Sequence, residues 1–183
     1  MPRGMTIKLQ THPMYADFIR HQMRTDDQGK VFASEKHKIG LLIKNLLRNR
    51  PEGARDPKFT DEPDRLVTLE FILPDYTDID TTYRNYISNN SRRIIASKIR
   101  SHFYFELHEH IEEMQKAGVK EMRAIMIHFC ELFEIGEDHY KTNTLEREYA
   151  RYRDKVKIVK ERRKITSVLM MFLSISTPLS VCF

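Results

Sequence analysis

Apolar residues recur every three or four positions through residues 91–164, and every second position in one shorter run. From Ser91 to Ala117 the recurring residues are Ile95, Ile99, Phe103, Leu107, Ile111 and Met114. That is the stripe of an amphipathic helix, and Gly118 stands where a left-handed C-terminal cap is wanted. A second helix is predicted from about Glu121 to Phe133, with Met122, Ile125, Met126, Phe129, Leu132 and Phe133 on one face. A glycine-containing turn, 134–137, follows. A third helix is predicted to open at Thr142 or Asn143, since Asn143 and Glu146 have capping-box spacing. Its inward positions are Leu145, Tyr149, Tyr152, Val156 and Val159. The period-two run is Leu66 to Leu73, where Val67, Leu69, Phe71 and Leu73 alternate with Thr68, Glu70 and Ile72. This predicts a strand, and a lone strand leaves its backbone groups unpaired, so Thr6–Leu9 is its expected partner.

Shorter signals fill in the first half. Met14, Tyr15, Phe18, Ile19 and Met23 have helical spacing after His12-Pro13. Asp26-Asp27-Gln28-Gly29 is turn chemistry, with Val31-Phe32 a short strand beyond it. Ser34 is read as the N-cap of a helix over 35–49 that Pro51 stops. Residues 51–64, rich in proline and charge, read as a loop or linker. Tyr83, Tyr86 and Ile87 predict a brief helical turn, and Asn89-Asn90-Ser91 reads as a loop supplying the cap for the long helix. The expected fold is mainly α (α+β): a small N-terminal sheet with helices, then a tri-helical bundle. The expected division is 1–80, 81–164 and an apolar tail, 165–183.

Charge sharpens this picture. The net charge is +5, but residues 1–50 are net +6 and 141–183 net +6, while 51–90 are net −5 and 91–140 net −2. Positive charge concentrated at the two ends is the footprint of a phosphate-backbone binder. On the third helix, Arg147, Arg151, Lys155 and Arg162 fall opposite the apolar stripe, with Asn143 and Thr144 at the leading end. In three successive helices ending in a basic one, residues 91–164 resemble the broad helix-turn-helix DNA-binding class. The resemblance implies a recognition helix entering the major groove of duplex DNA, with Asn143, Thr144, Arg147, Arg151, Lys155 and Arg162 as its contacts. The interval of about eight residues, 134–141, is longer than the usual three or four and points to a looser variant. A solvated charged face accounts for the same pattern without DNA.

Other chemistry finds little support in the sequence. Gly-x-Ser-x-Gly, a glycine-rich phosphate loop, His-Glu-x-x-His and paired Cys-x-x-Cys are all absent, so no catalytic residue, metal ligand or cofactor is assigned and no enzyme is expected. His102, Glu106, His110 and Glu113 share one helix face but lack matching ligands on a neighbouring helix, and read as a polar face. Asp75, Asp78 and Asp80 read as an acidic loop. Cys130 reads as a small buried hydrophobe, and the two thiols fit a reducing, cytoplasmic setting. Met1 to Gln10 has no apolar core, so no secretory signal is expected.

The uncharged tail, Ile165 to Phe183, follows Lys160-Glu161-Arg162-Arg163-Lys164 and has the length of a membrane span. Its serines, threonines and Pro178 favour instead a terminal helix packed on the domain or on a second subunit. The leading functional expectation is a DNA-binding regulatory or accessory protein; the small size and lack of catalytic motifs fit a phage or mobile element. The alternative is a structural or adaptor protein that associates through its helices, as a homodimer or with a partner, with or without a membrane tether.

Overall fold

The computed structural model describes residues 5–54, 57, 59 and 65–175, with backbone alone over 159–175. Among the described residues, five α-helices and a three-stranded sheet follow in the order β1 (Thr6–Thr11), α1 (Pro13–Gln22), β2 (Val31–Phe32), α2 (Lys38–Leu46), β3 (Val67–Ile72), α3 (Asn89–Lys116), α4 (Met122–Leu132), α5 (Thr142–Ile175). The expected mainly helical character with a small sheet among the first 75 residues is present. The chain divides into two compact units, Met1–Thr142 and Asn143–Phe183, so α3 and α4 belong with the sheet.

β3 is the central strand. It pairs antiparallel with β1, Thr6 opposite Ile72 and Thr11 opposite Val67, and parallel with β2, Val31 opposite Phe71. Alternation sends Ile7, Leu9, Leu69 and Phe71 to the buried face, while Thr6 and Lys8 stay exposed on the other. α3 packs against α1, α2, α4 and β1. Its buried residues, Ile95, Ile99, Phe103, Leu107 and Ile111, keep the predicted spacing. Phe103 meets Phe18 of α1 at 5.3 Å and Phe129 of α4 at 5.5 Å, both edge-to-face. These rings tie three helices together.

α3 ends as expected. Gly118 has φ 94°, its N–H donates to Gln115 O at 3.1 Å, and the Val119 N–H donates to Met114 O at 3.0 Å. This is the Schellman pattern. Its start differs, because Ser88 is the cap, its Oγ accepting from the Ser91 N–H at 3.1 Å. Asn89, Asn90 and Ser91 are therefore the first turn rather than a loop. Residues 81–83 form a turn without becoming a helix, and Tyr86 bridges to Arg48.

α2 also departs from expectation. It starts at Lys38, and the cap is His37, whose Nδ1 accepts from the Ile39 N–H at 3.2 Å. Ser34 instead closes a turn, its Oγ accepting from the Lys36 N–H at 3.3 Å. The backbone at Ala33-Ser34 is held by the Ala33 N–H donating to Ile72 O at 2.9 Å and by the Tyr76 hydroxyl donating to Ala33 O at 3.1 Å. Gly40 lies directly over it; a Cβ there would come within 2.0 Å of Ser34 O. α1 uses the same cap as α2, with His12 Nδ1 accepting from the Met14 N–H at 3.3 Å. Imidazole at both caps has a consequence for acid stability, because the accepting lone pair exists only while the ring is neutral.

Two buried groups complete this unit. Lys44 is buried between Glu35, at 2.9 Å, and Asp78, at 2.6 Å; hydrogen bonds to Asp78 and Glu35 raise its pKa. Asp78, read as part of an acidic loop, is thus an ion-pair partner of α2. Cys130 is fully buried, and desolvation pushes its thiol up to about 12.

Candidate nucleic-acid interface

The interface expected from the sequence lies on α5. Glutamate, lysine and arginine are frequent in its first half, and neither glycine nor proline occurs from Thr142 to Thr177, so nothing local interrupts the backbone ladder. The helix consequently runs through the composition break at Lys164-Ile165 and continues to Ile175. The tail was expected as a separate element; its first part, 165–175, continues α5, and 176–183 lie outside the described residues. Among the described residues, no helix is long and apolar enough to cross a membrane.

Because α5 begins at Thr142, Asn143 occupies its first turn rather than the cap position. Leu145 and Tyr149 are buried, and Tyr152 and Val156 are half-buried, in agreement with the apolar stripe. Asn143, Thr144, Arg147, Arg151 and Lys155 are all exposed. Arg147, Arg151 and Lys155 recur every fourth residue, a rise of about 6 Å per step, so the three cations form one continuous row. Arg151 donates from Nη1 to Glu148 Oε1 at 2.7 Å. An exposed ion pair of this kind contributes about 0–1 kcal/mol and leaves the guanidinium able to take up a phosphate. Arg162 lies on the same helix, with its side chain outside the described ones. Between α4 and α5, residues 133–141 contain a single 3-10 turn, Glu137–His139, and Glu134 takes a positive φ of 51°. A tight helix-turn-helix connection is therefore absent.

Part of the positive charge of the first fifty residues lies elsewhere, in a place the sequence did not single out. A cavity of about 910 Å³ opens on the polar face of the sheet, lined by Lys8, Arg20, Lys30, Arg50, Glu70 and Arg92 among others. Glu70 stands directly across from Lys8, binding its ammonium at 2.8 Å and that of Lys30 at 3.5 Å. The hydrogen bond from Lys8 is the main reason that the Glu70 carboxyl stays below its ordinary range. Arg92, in the first turn of α3, donates from Nε to Lys8 O at 3.0 Å and lies 5.8 Å from the centre of the Phe59 ring.

The histidines also find partners. His37 and His102 both approach Gln22 Oε1, at 3.4 and 2.8 Å, and His110 meets His128 at 3.1 Å. His102 lies 3.7 Å from Glu106, while His110 pairs with α4, so the four polar positions of the α3 face do not converge on one point. Burial lowers the pKa of His37, His102 and His110, which favours their neutral forms.

No family model, curated protein or solved structure matches this chain.

Proposed function

We propose that this chain is a DNA-binding protein of regulatory or accessory type that grips duplex DNA through the exposed face of α5. The observation that carries the reading is the row Arg147, Arg151 and Lys155, exposed on a helix whose Leu145 and Tyr149 are buried, with Asn143 and Thr144 exposed at its leading end. Arginine forks at one-turn spacing suit successive phosphates or the O6/N7 edge of guanine. In this reading α5 is the recognition helix, preceded in the chain by α3 and α4.

The test is a titration of duplex DNA at several salt concentrations with wild type and Arg147→Ala/Arg151→Ala. Neither arginine is part of the core, so the variant is expected to fold. Each phosphate no longer neutralised lowers the slope of log K against log salt by about 0.9. Where an arginine reads a base instead, removing it costs about 1–3 kcal/mol and relaxes preference at one position. Equal affinity and slope in the folded variant would sink this reading.

A second reading, association with a protein partner or a second copy, has an observation of its own. Leu41 and Ile94 are exposed at 44% and 43% and, with Leu42, line a shallow apolar groove between α2 and α3, rimmed by Lys38, Arg93 and Lys98. Sedimentation of wild type against Leu41→Ser/Ile94→Ser tests self-association; identical monomeric behaviour of both would exclude the homodimer.

A further inference from the structure

We propose that the groove between α2 and α3 docks a short amphipathic helix of an acidic partner protein. This deepens the second reading of the function, association through that groove, and rests on it. α2 lines the groove with Lys38, Leu41, Leu42 and Asn45, spaced i, i+3, i+4 and i+7, so all four lie on one face. α3 lines the other side with Arg93 and Ile94 and, one turn on, Ser97 and Lys98. The inward positions of both helices are already filled by Ile39, Ile43, Ile95 and Ile99, all buried. Leu41 and Ile94 therefore have no place in this core, and their apolar surface is free to meet another chain.

Charge identifies the kind of chain. Residues 36–51 and 81–105, which build the groove, contain no aspartate or glutamate. Lys38, Arg93 and Lys98 are exposed at its rim, and among the described residues none of the three makes an ion pair. An apolar floor inside a rim of unpaired cations is complementary to a segment with apolar anchors flanked by carboxylates. The α2 side, Lys38 to Asn45, is about 10 Å long at 1.5 Å per residue, the length of two helical turns. A helix laid in such a groove presents its anchors at i and i+3 or i+4.

Other occupants fit less well. In a two-fold contact a second copy would bring the same patch, and Lys38, Arg93 and Lys98 would face their own counterparts. The acidic stretch of this chain, 51–64, is broken by Pro57 and Pro63 before two helical turns are complete, and residues 165–183 carry no acidic side chain. Duplex DNA would satisfy the rim and leave Leu41 and Ile94 without an apolar partner.

The test is a selection that presumes no partner sequence. A display library of helical peptides with randomised surface positions is selected on the full-length chain and counter-selected on Leu41→Ser/Ile94→Ser, which keeps every cation. Peptides retained by wild type alone are expected to carry apolar residues at i and i+3 or i+4 and an excess of aspartate and glutamate. One such peptide is then titrated. Leu41→Ser/Ile94→Ser is expected to weaken its binding at least about tenfold, and Lys38→Gln/Lys98→Gln about two- to tenfold, with the lysine effect shrinking in high salt. If the apolar variant fails to fold by circular dichroism, the lysine variant, which leaves the floor intact, decides. Selected peptides without an acidic excess, or unchanged affinity in the lysine variant, overturn the acidic partner and leave association through the groove standing. No enrichment over the counter-selection overturns the proposal, and sedimentation then decides self-association by itself. Binding to phosphatidylserine vesicles that Leu41→Ser/Ile94→Ser abolishes, with no peptide enriched, overturns it in favour of a membrane surface.

Discussion

Replacing Gly40 with alanine tests the packing that joins α2 to the sheet. The added methyl would stand 2.0 Å from Ser34 O, 2.7 Å from its carbonyl carbon and 2.9 Å from the carbonyl carbon of Ala33. Ordinary contact begins near 3.4 Å, so one of the two backbones must move by more than about 1 Å. Neither is free to do so. Ala33 is fixed on both polar groups, by Ile72 O and by the Tyr76 hydroxyl, and the Ser34 carbonyl accepts from the His37 N–H at 3.1 Å. Overpacking costs about 1–3 kcal/mol, and each buried hydrogen bond given up adds about 1 kcal/mol. The better helix propensity of alanine returns about 1 kcal/mol. With two of these bonds given up, the net loss is about 2–4 kcal/mol, or roughly 5–15 °C in Tm for a chain of this size. Urea unfolding followed by circular dichroism measures it, with Gly118→Ala as a control. At Gly118 the φ of 94° imposes backbone strain, but nothing lies within 4 Å of the new methyl, so a loss of about 1–2 kcal/mol is expected. If Gly40→Ala is as stable as wild type, the close approach of α2 to Ala33-Ser34 is not as described.

Three further outcomes are expected. The folded-state pKa of His37 lies below the ordinary value of 6.5 through burial and the neighbouring His102, so the unfolded chain takes up the proton first and stability falls as pH drops through about 6.5. His37→Asn keeps a capping oxygen without titrating, and the fall in urea midpoint from about pH 7.5 to 5.5 should shrink; an unchanged fall counts against this role. Phe103→Ala empties the junction of α1, α3 and α4 and should cost about 3–5 kcal/mol in denaturant unfolding; a loss under about 1 kcal/mol would mean that the aromatic cluster does not hold the helices. Glu148→Gln releases Arg151 from its ion pair and should strengthen duplex binding by up to about 1 kcal/mol in the same salt titration, where weaker binding would argue against a role for Arg151.

Most of the fold was legible because it rests on local periodicity. The alternation through Leu66–Leu73 fixes which face of β3 is buried, and the four-residue spacing from Ile95 to Ile111 fixes the buried edge of α3. Gly118 was readable as a cap because a left-handed residue there strongly favours glycine. The start of α2 was missed because serine is the commoner N-cap. Ser34 instead closes a turn ahead of the helix, its Oγ accepting from the Lys36 N–H, and Gly40 lets the helix pack close to the Ser34 carbonyl. The end of α5 was misjudged because hydrophobicity changes at Ile165 whereas the backbone hydrogen bonds, blind to side-chain charge, do not. The exposed row on α5 could be read from helical geometry alone. The cavity on the sheet could not, since residues 8, 20, 30, 50, 70 and 92 share no sequence spacing. Only the net +6 of the first fifty residues hinted at it.

The strand order has a consequence for how the chain becomes a protein. β1 and β2 are synthesised first, yet they never pair; the slot between them is filled by β3, whose Ile72 pairs with Thr6 across most of the first half of the chain. Until β3 arrives, Ile7, Leu9 and Val31 have a buried face in prospect but no strand to bury it with. Closing so long a loop is slow, and during that interval the two outer strands present unpaired backbone to whatever lies nearby. A strand with the pattern of residues 67–72 supplied by another copy would fit the same slot. Chain ends and truncations placed before Val67 therefore leave an adhesive intermediate, and those placed beyond Ile72 allow the sheet to close.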